Sequence, residues 1–110
     1  MRNYLFSTLS LIFLCLNSVQ AQETDPSFLS RGLQLFNEQK YENALTEFEK
    51  VIKNDSLNKE AYYYQGLTFL RAEKYSEAIT PFKKVLELDP KYSGARRNLG
   101  ITYLNLQFND

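Results

Sequence analysis

One constant interval between matching residues constrains the fold of this chain more than any other feature. Gly32, Gly66 and Gly100 are equally spaced, and at the same interval residues 25–58 match residues 59–92 at ten positions without a gap. The matched pairs include Tyr41 with Tyr75, Ala44 with Ala78, Phe48 with Phe82, Val51 with Val85, and Asp55 with Asp89. Chance similarity between two amphipathic helices does not keep so many residue types at one spacing. This interval, the repeat period, therefore predicts one supersecondary unit that is copied and stacked.

Each unit is predicted to be a helical hairpin, because apolar residues recur at helical spacing on either side of a short polar break. Asp25-Pro26 predicts the start of the first helix, since an acceptor side chain precedes a proline at the first helical position. The breaks fall at residues 38–40 and 54–56. We expect the small residues of a hairpin to let its helices approach, with Phe48 and Phe82 filling the remaining space. The sequence thus predicts an all-α protein.

A fifth helix is predicted over residues 94–106, with Ser93 as its cap. Its apolar side is formed by Leu99, Tyr103 and Leu106. We expect that side to cover the second hairpin and the surface near Ala95 and Thr102 to stay open, because no sixth helix follows in the sequence. Helical repeats normally end in a polar cap. The open surface therefore predicts self-association through the fifth helix.

Residues 1–21 have the pattern of a secretory signal peptide. Arg2 is their only charged side chain, a mostly apolar run follows, and Val19-Gln20-Ala21 supplies small residues for a cleavage site. The run is shorter than the roughly 20 apolar residues of a membrane span. We therefore expect cleavage after Ala21, an exported protein that is periplasmic or extracellular, and no stable membrane span afterwards.

Two alternatives to cleavage after Ala21 stay open. The segment could remain as an uncleaved anchor, or Cys15 could carry a lipid. The bulky Phe13 and Leu14 disfavour the lipoprotein interpretation, because that signal needs small residues before the cysteine.

The composition excludes several kinds of chemistry. The chain has no histidine, and its one cysteine lies within the predicted signal peptide. Imidazole acid–base catalysis, a thiolate nucleophile and a thiolate metal site are therefore excluded from the mature chain. Net charge is zero, so no basic excess indicates nucleic acid. Acidic residues two positions apart, such as Glu47 and Glu49, point to different sides of a helix and are predicted to be solvated. We predict no enzyme activity, catalytic residue, cofactor or metal.

From residue 25 to residue 110 the chain resembles the tetratricopeptide repeat family. The positions that carry the resemblance are Gly32, Ala44, Phe48, Gly66, Ala78, Phe82, Pro90 and Gly100. The resemblance implies a right-handed α-solenoid of antiparallel helix hairpins. It divides the chain into a signal peptide (1–21), a flexible lead (22–24) and a helical-repeat domain (25–110), with repeats at 25–58 and 59–92 and a partial repeat at 93–110.

The resemblance also implies a binding groove, because the first helix of each repeat lines a concave face in this family. The positions predicted to contact a partner are Leu29, Leu33, Tyr63, Tyr64, Leu67, Arg71, Arg97, Asn98 and Ile101. Tyrosine and arginine are enriched at protein interfaces. The alternative for Tyr63 and Tyr64 is that they merely flank a core Tyr62. The lysine–asparagine clamp with which a familiar member grips a C-terminal carboxylate is not present, which disfavours a receptor for chaperone tails.

The sequence thus predicts an exported, non-enzymatic scaffold that binds a protein or an extended peptide in its groove. The alternative is an N-terminal docking or oligomerisation module of a longer exported enzyme or sensor. An open reading frame that continues past Asp110 would favour the alternative.

Overall fold

A computed structural model of the protein describes residues 27–109 and contains five helices and no strand in that part of the chain. The helices are α1 (Ser27–Asn37), α2 (Tyr41–Asn54), α3 (Lys59–Arg71), α4 (Tyr75–Leu88) and α5 (Ser93–Asn109). The predicted signal peptide, the flexible lead and the Asp25-Pro26 helix start lie outside the described residues. The all-α prediction is confirmed for the described chain.

The helices form two hairpins, α1–α2 and α3–α4, and α5 packs on the second hairpin. Each helix contacts the next one along the chain, and α3 also contacts both α1 and α5. Over the described residues, α2 and α4 make no such contact with each other. The stack therefore brings α1, α3 and α5 side by side and spreads the second helices apart. Because the first helices lie closer together than the second helices, the stack curves, and α1, α3 and α5 form its concave face.

The core of each hairpin is a phenylalanine ring packed on a glycine. A methyl group at Gly32 would lie 2.5 Å from Cε1 of Phe48, and one at Gly66 would lie 2.7 Å from Cε1 of Phe82. Both rings are completely buried. The predicted pairing of small residues with Phe48 and Phe82 is confirmed, because no larger side chain fits at either glycine without displacing the ring.

The turns inside the two hairpins have the same backbone conformation. Gln39 and Glu73, one repeat period apart, adopt φ values of 61° and 60°. The amides of Gln39 and Lys40 donate to carbonyls of α1, that of Phe36 at 3.0 Å and that of Leu35 at 2.9 Å. This pair of bonds is the Schellman arrangement, in which a left-handed residue closes the helix C-terminus. The break predicted at 38–40 is therefore confirmed as a closed helix end.

The break predicted at 54–56 lies where the first hairpin ends. The helix α2 runs to Asn54, and the next helix begins at Lys59. The amide of Asp55 donates to the carbonyl of Val51 at 2.8 Å, and the amide of Leu57 donates to Oδ1 of Asp55 at 3.2 Å. The aspartate side chain thus closes the turn that leads into the second hairpin, and the break is confirmed.

The expectation about the open face of α5 is wrong. Ala95 and Thr102, which were expected to stay open, are completely buried. Of the side predicted to cover the second hairpin, Leu99 does pack against the core of that hairpin, whereas Tyr103 is 45% exposed. No neighbouring atom lies within 4 Å of the place that a methyl group at Gly100 would take, so this glycine faces open space.

The physical reason for this difference lies in the two sides that a first helix uses. Its glycine side packs against the second helix of its own hairpin, as Gly66 does. Its other side packs against the preceding hairpin, and there Ala61 and Thr68 of α3 are completely buried. Ala95 and Thr102 stand one repeat period after Ala61 and Thr68. They therefore face the α3–α4 hairpin.

The ends of α5 also differ from the prediction. The helix begins at Ser93 and runs to Asn109, so Ser93 lies in the first turn and the helix passes beyond Leu106. The carbonyl of Tyr92 accepts the first helical bond, from the amide of Arg96 at 3.3 Å. Because no helix packs on the glycine side of α5 among the described residues, no packing contact draws the chain into a turn there.

Glu47 is a further departure, since the prediction placed it on a solvated face. It is only 7% exposed. Its Oε1 accepts from Nζ of Lys50 at 3.1 Å, while its Oε2 is buried without a hydrogen-bond partner among the described residues. The position one repeat period later holds Pro81, which is also buried. The repeat column, rather than the spacing to Glu49, indicates the inward side of the helix.

Alanine at Gly66 and alanine at Gly100 should have opposite effects on stability. The Gly66→Ala methyl meets the Phe82 ring, and such overpacking costs about 1–3 kcal/mol, more than the roughly 1 kcal/mol that alanine gains over glycine in a helix. Gly100→Ala meets no atom and should stabilise the fold by up to about 1 kcal/mol. Urea denaturation of both variants measures the difference, and equal effects would contradict the packing of Phe82 on α3.

Glycine at the left-handed turn positions should stabilise the protein. A residue with a side chain loses roughly 1–2 kcal/mol in this conformation, and glycine does not, although its unfolded chain is freer. We expect Glu73→Gly to raise the free energy of unfolding by roughly 0.5–1 kcal/mol. The control, Glu49→Gly on the exposed side of α2, should lower it by about 1 kcal/mol. A loss of stability in both variants would contradict the turn geometry.

Candidate functional site

The residues predicted to line the groove lie on the three helices that pack side by side. They form repeated columns, one of which contains Leu33, Leu67 and Ile101 at the repeat period. Within each helix, consecutive members are one, three or four positions apart, so they share one broad helix face. The residues predicted to line the groove fall into two groups by the exposure of their side chains. Arg71, Arg97 and Ile101 are exposed, while Leu29, Leu33, Tyr63, Tyr64, Leu67 and Asn98 are half-buried.

Tyr64 joins the first hairpin to α3. Its ring stacks on Phe48, with centroids 6.1 Å apart, and meets Phe36 edge-on at the same distance. Aromatic pairs at this separation contribute about 0.5–1.5 kcal/mol beyond the area that they bury. Tyr64 therefore holds neighbouring helices together and still leaves part of its ring at the surface.

Tyr63 joins the second hairpin to α5. Its ring lies 6.1 Å from the ring of Phe82 and 5.0 Å from that of Tyr92. Its hydroxyl accepts a hydrogen bond from Nδ2 of Asn98 at 3.2 Å. A methyl group at Gly94 would lie 3.0 Å from the same hydroxyl oxygen, so glycine at this position admits the tyrosine. The structure thus brings together Tyr63 and Asn98, two of the predicted groove residues from different helices.

The two tyrosines also contact each other, with ring centroids 5.4 Å apart in an edge-on arrangement. A continuous row of rings consequently crosses the stack from Phe36 through Tyr64 and Tyr63 to Tyr92. Alanine at Tyr63 or Tyr64 would remove contacts between helices as well as surface area. A binding experiment on this face should therefore change the exposed arginines instead.

Tyr92 is a member of this row that sequence reasoning missed. Burial raises the pKa of its phenol above the usual range, and the neighbouring phenol of Tyr63 adds to the shift. Nζ of Lys59 lies 5.9 Å from the Tyr92 ring centroid, within the range of a cation–π contact. The position one repeat period earlier is Asn58, whose Oδ1 caps α3 by accepting from the amide of Ala61 at 3.0 Å. The period could not reveal Tyr92, because its counterpart has a different role.

An ion pair beside Tyr92 ties the two ends of the second hairpin together. Nζ of Lys59 donates to Oδ2 of Asp89 at 2.9 Å. This hydrogen bond raises the pKa of Lys59, and together with the amide of Lys91 it lowers the pKa of the Asp89 carboxyl. Both groups therefore keep their charge at neutral pH. The pair is exposed to solvent and fixes geometry more than it adds stability.

The electrostatic character of the predicted face is basic and apolar. Arg71 and Arg97 supply guanidinium groups on α3 and α5, and none of the predicted groove residues is acidic. Of the half-buried leucines, Leu29 and Leu33 lie on α1 and Leu67 lies on α3. Such a face can accommodate an apolar side chain and pair with a carboxylate.

No group of side chains among residues 27–109 has the composition of a metal site. Nor does any helix of that part combine the length and the apolar character needed to cross a bilayer.

Comparison with known proteins gives the same fold. A family model described as tetratricopeptide repeat matches residues 29–93, more than half of the chain. No curated protein sequence matches the chain. Among solved structures, the second TPR domain of Spaghetti (RPAP3), bound to the HSP90 peptide SRMEEVD, is similar to it with a TM-score of 0.75 and 27% sequence identity. The match covers 83% of this chain and 84% of the Spaghetti chain.

Two further solved structures are similar to this chain in fold. A point mutant of MamA is 25% identical, with a TM-score of 0.69, over 74% of this chain and 59% of the MamA chain. The TPR2B-domain:pHsp70 complex of yeast Sti1 is 20% identical, with a TM-score of 0.65, over 68% of this chain and 60% of the Sti1 chain. The likeness to Sti1 bears on the fold alone.

Proposed function

The chain belongs to the tetratricopeptide repeat family, and on that premise we propose that it is a non-enzymatic scaffold whose α1–α3–α5 face binds an extended peptide or a protein segment. The observation that carries the proposal is the arrangement of this face. Three helices lie side by side, the leucines that α1 and α3 contribute to this face are half-buried, and Arg71 and Arg97 on α3 and α5 are exposed.

A structural neighbour supports a peptide ligand. The similar domain of Spaghetti holds an HSP90 peptide, and that peptide ends in the acidic sequence EEVD. In the present chain, the two arginines would pair with carboxylates, and the leucines would receive an apolar side chain. The proposed ligand is therefore an extended segment that has acidic and apolar residues.

The pairing of arginine with carboxylate gives a direct test. The wild-type protein is used to select peptides from an array of extended sequences that differ in acidic and apolar content. We expect the selected peptides to be acidic, and we expect Arg71→Glu or Arg97→Glu to weaken the binding of a selected peptide by about tenfold each, because an opposite charge becomes a like charge. Fluorescence anisotropy of a labelled peptide measures the affinity.

Lys83→Glu is the matched control for these variants. Lys83 is an exposed cation on α4, outside the predicted face, and this substitution makes the same change in net charge. Circular dichroism verifies that all variants keep their helicity. If Lys83→Glu weakens binding as much as the arginine variants, the attraction is non-specific and the proposed face is wrong.

We also propose that the protein is exported after removal of residues 1–21. The support is the sequence pattern alone: a basic tip, a short apolar run and small residues before the cleavage site. Mass spectrometry of the protein recovered from its native compartment should find Gln22 as the first residue. Recovery of membrane-bound protein that retains Met1 would show that the segment is an anchor instead.

A further inference from the structure

The described residues expose large apolar side chains mainly on α5. Four of the five such residues lie there: Ile101, Tyr103, Leu104 and Phe108. Leu104 is 55% exposed and Phe108 is 82% exposed. These two residues and Gly100 follow one another at intervals of four positions, which places all three along one stripe of the helix. We call Gly100, Leu104 and Phe108 the α5 stripe. The family model ends at residue 93, so the stripe lies beyond the part of the chain that it matches.

The stripe contains both halves of the contact that closes the two hairpins. In each hairpin, a phenylalanine ring covers a glycine on a neighbouring helix that runs the opposite way. Gly100 follows Gly32 and Gly66 at the repeat period, and no neighbouring atom lies within 4 Å of the place that its Cβ would take. We call this unfilled space above Gly100 the hole. Phe108 is an exposed ring on the same helix. The hole and the ring that fits it are thus about two turns apart on one surface.

We propose that the α5 stripe binds a second copy of this chain, with the two α5 helices antiparallel and Leu104 at the twofold axis. In that arrangement, Phe108 of each copy covers Gly100 of the other, and the two Leu104 side chains meet at the centre. A surface that carries both a hole and its matching ring is self-complementary, which is what a twofold interface requires. Binding to an unrelated partner would require only the hole at Gly100 or only the Phe108 ring on this surface, whereas a twofold dimer uses both.

Charge supports the same arrangement. Residues 98–109 contain no charged side chain, so antiparallel pairing brings no like charges together. Arg97 would lie beside the C-terminal end of the other α5 helix, where the helix dipole favours a cation. Leu33, Leu67 and Arg71 of the proposed peptide-binding face lie on α1 and α3 and do not take part, whereas Arg97 belongs to both surfaces. The contact between Gly100 and Phe108 contains none of the residues proposed to contact a peptide, and the dimer is tested without one.

The size of the contact sets the expected affinity. A single pair of helices buries less than the roughly 1,200 Å² of a standard stable interface, and contacts of this size belong to weak, reversible complexes. We expect a monomer near about 1 μM and a substantial dimer fraction near about 100 μM.

The test uses two variants. Each should dimerise poorly by itself, and the two should form a heterodimer when they are mixed. Gly100→Phe fills the hole and sets ring against ring, and Phe108→Ala removes the ring. Each should raise the dimer dissociation constant at least about tenfold in sedimentation equilibrium. Mixed together, they should form a heterodimer. At one contact the new ring of the G100F variant faces the small side chain of the F108A variant, and at the other Phe108 of the first covers Gly100 of the second.

A folding check and a control variant separate a lost dimer contact from a loss of folding. Gly100 meets no atom in the monomer, so Gly100→Phe should retain the helicity of the wild type in circular dichroism. Asn43→Ala, an exposed change on α2, is the control that should leave the dimer fraction unchanged. A wild-type protein that stays monomeric at about 500 μM, or a mixture that associates no better than either variant alone, would overturn the proposal.

Discussion

The contact between a phenylalanine ring and a glycine backbone determines how this chain packs. It sets the separation of α1 from α2 and of α3 from α4, because a methyl group at Gly32 or Gly66 would lie within 3 Å of ring carbons. With that separation fixed, the next helix packs on the outer side of the hairpin. Ala61 and Ala95, both completely buried, occupy that second contact. The stacking of α1, α3 and α5, and hence the proposed binding face, depends on these glycines and alanines.

The proposed binding face cannot be separated from the packing beneath it. Tyr63 and Tyr64 each pack against a ring of a neighbouring helix and remain only half-buried. Because these rings already pack against one another, the proposed ligand would order few further side chains of the protein when it binds. Arg71 and Arg97 are its exposed charged members, while its leucines are already half-buried, so in the proposed function the two arginines select the ligand.

The sequence predicted most of the fold because repeat and helical periodicity are local signals. The five helices, the two hairpin turns and the packing of the phenylalanine rings follow from residue type and spacing alone. The prediction went wrong where two sides of a helix had to be told apart. Tyr103 and Thr102 are adjacent, and only comparison with Thr68, one repeat period earlier, shows which side is inward. Tyr92 was missed because Asn58, one period earlier, has a different role. Glu47 was assigned to a solvated face from its spacing to Glu49, whereas the buried Pro81 one period later marks that position as inward.

The order in which the helices pack has a consequence for how fast the chain folds. Each helix rests on its immediate neighbours in sequence, and the hydrogen bond from Asn98 to Tyr63 spans 35 positions. Contacts this local close short loops and lose little chain entropy before they form. All-helical domains with such low contact order fold within about microseconds to milliseconds. A stack of this kind can begin to fold at either hairpin and add the next helix to it, because each unit contacts only its neighbours.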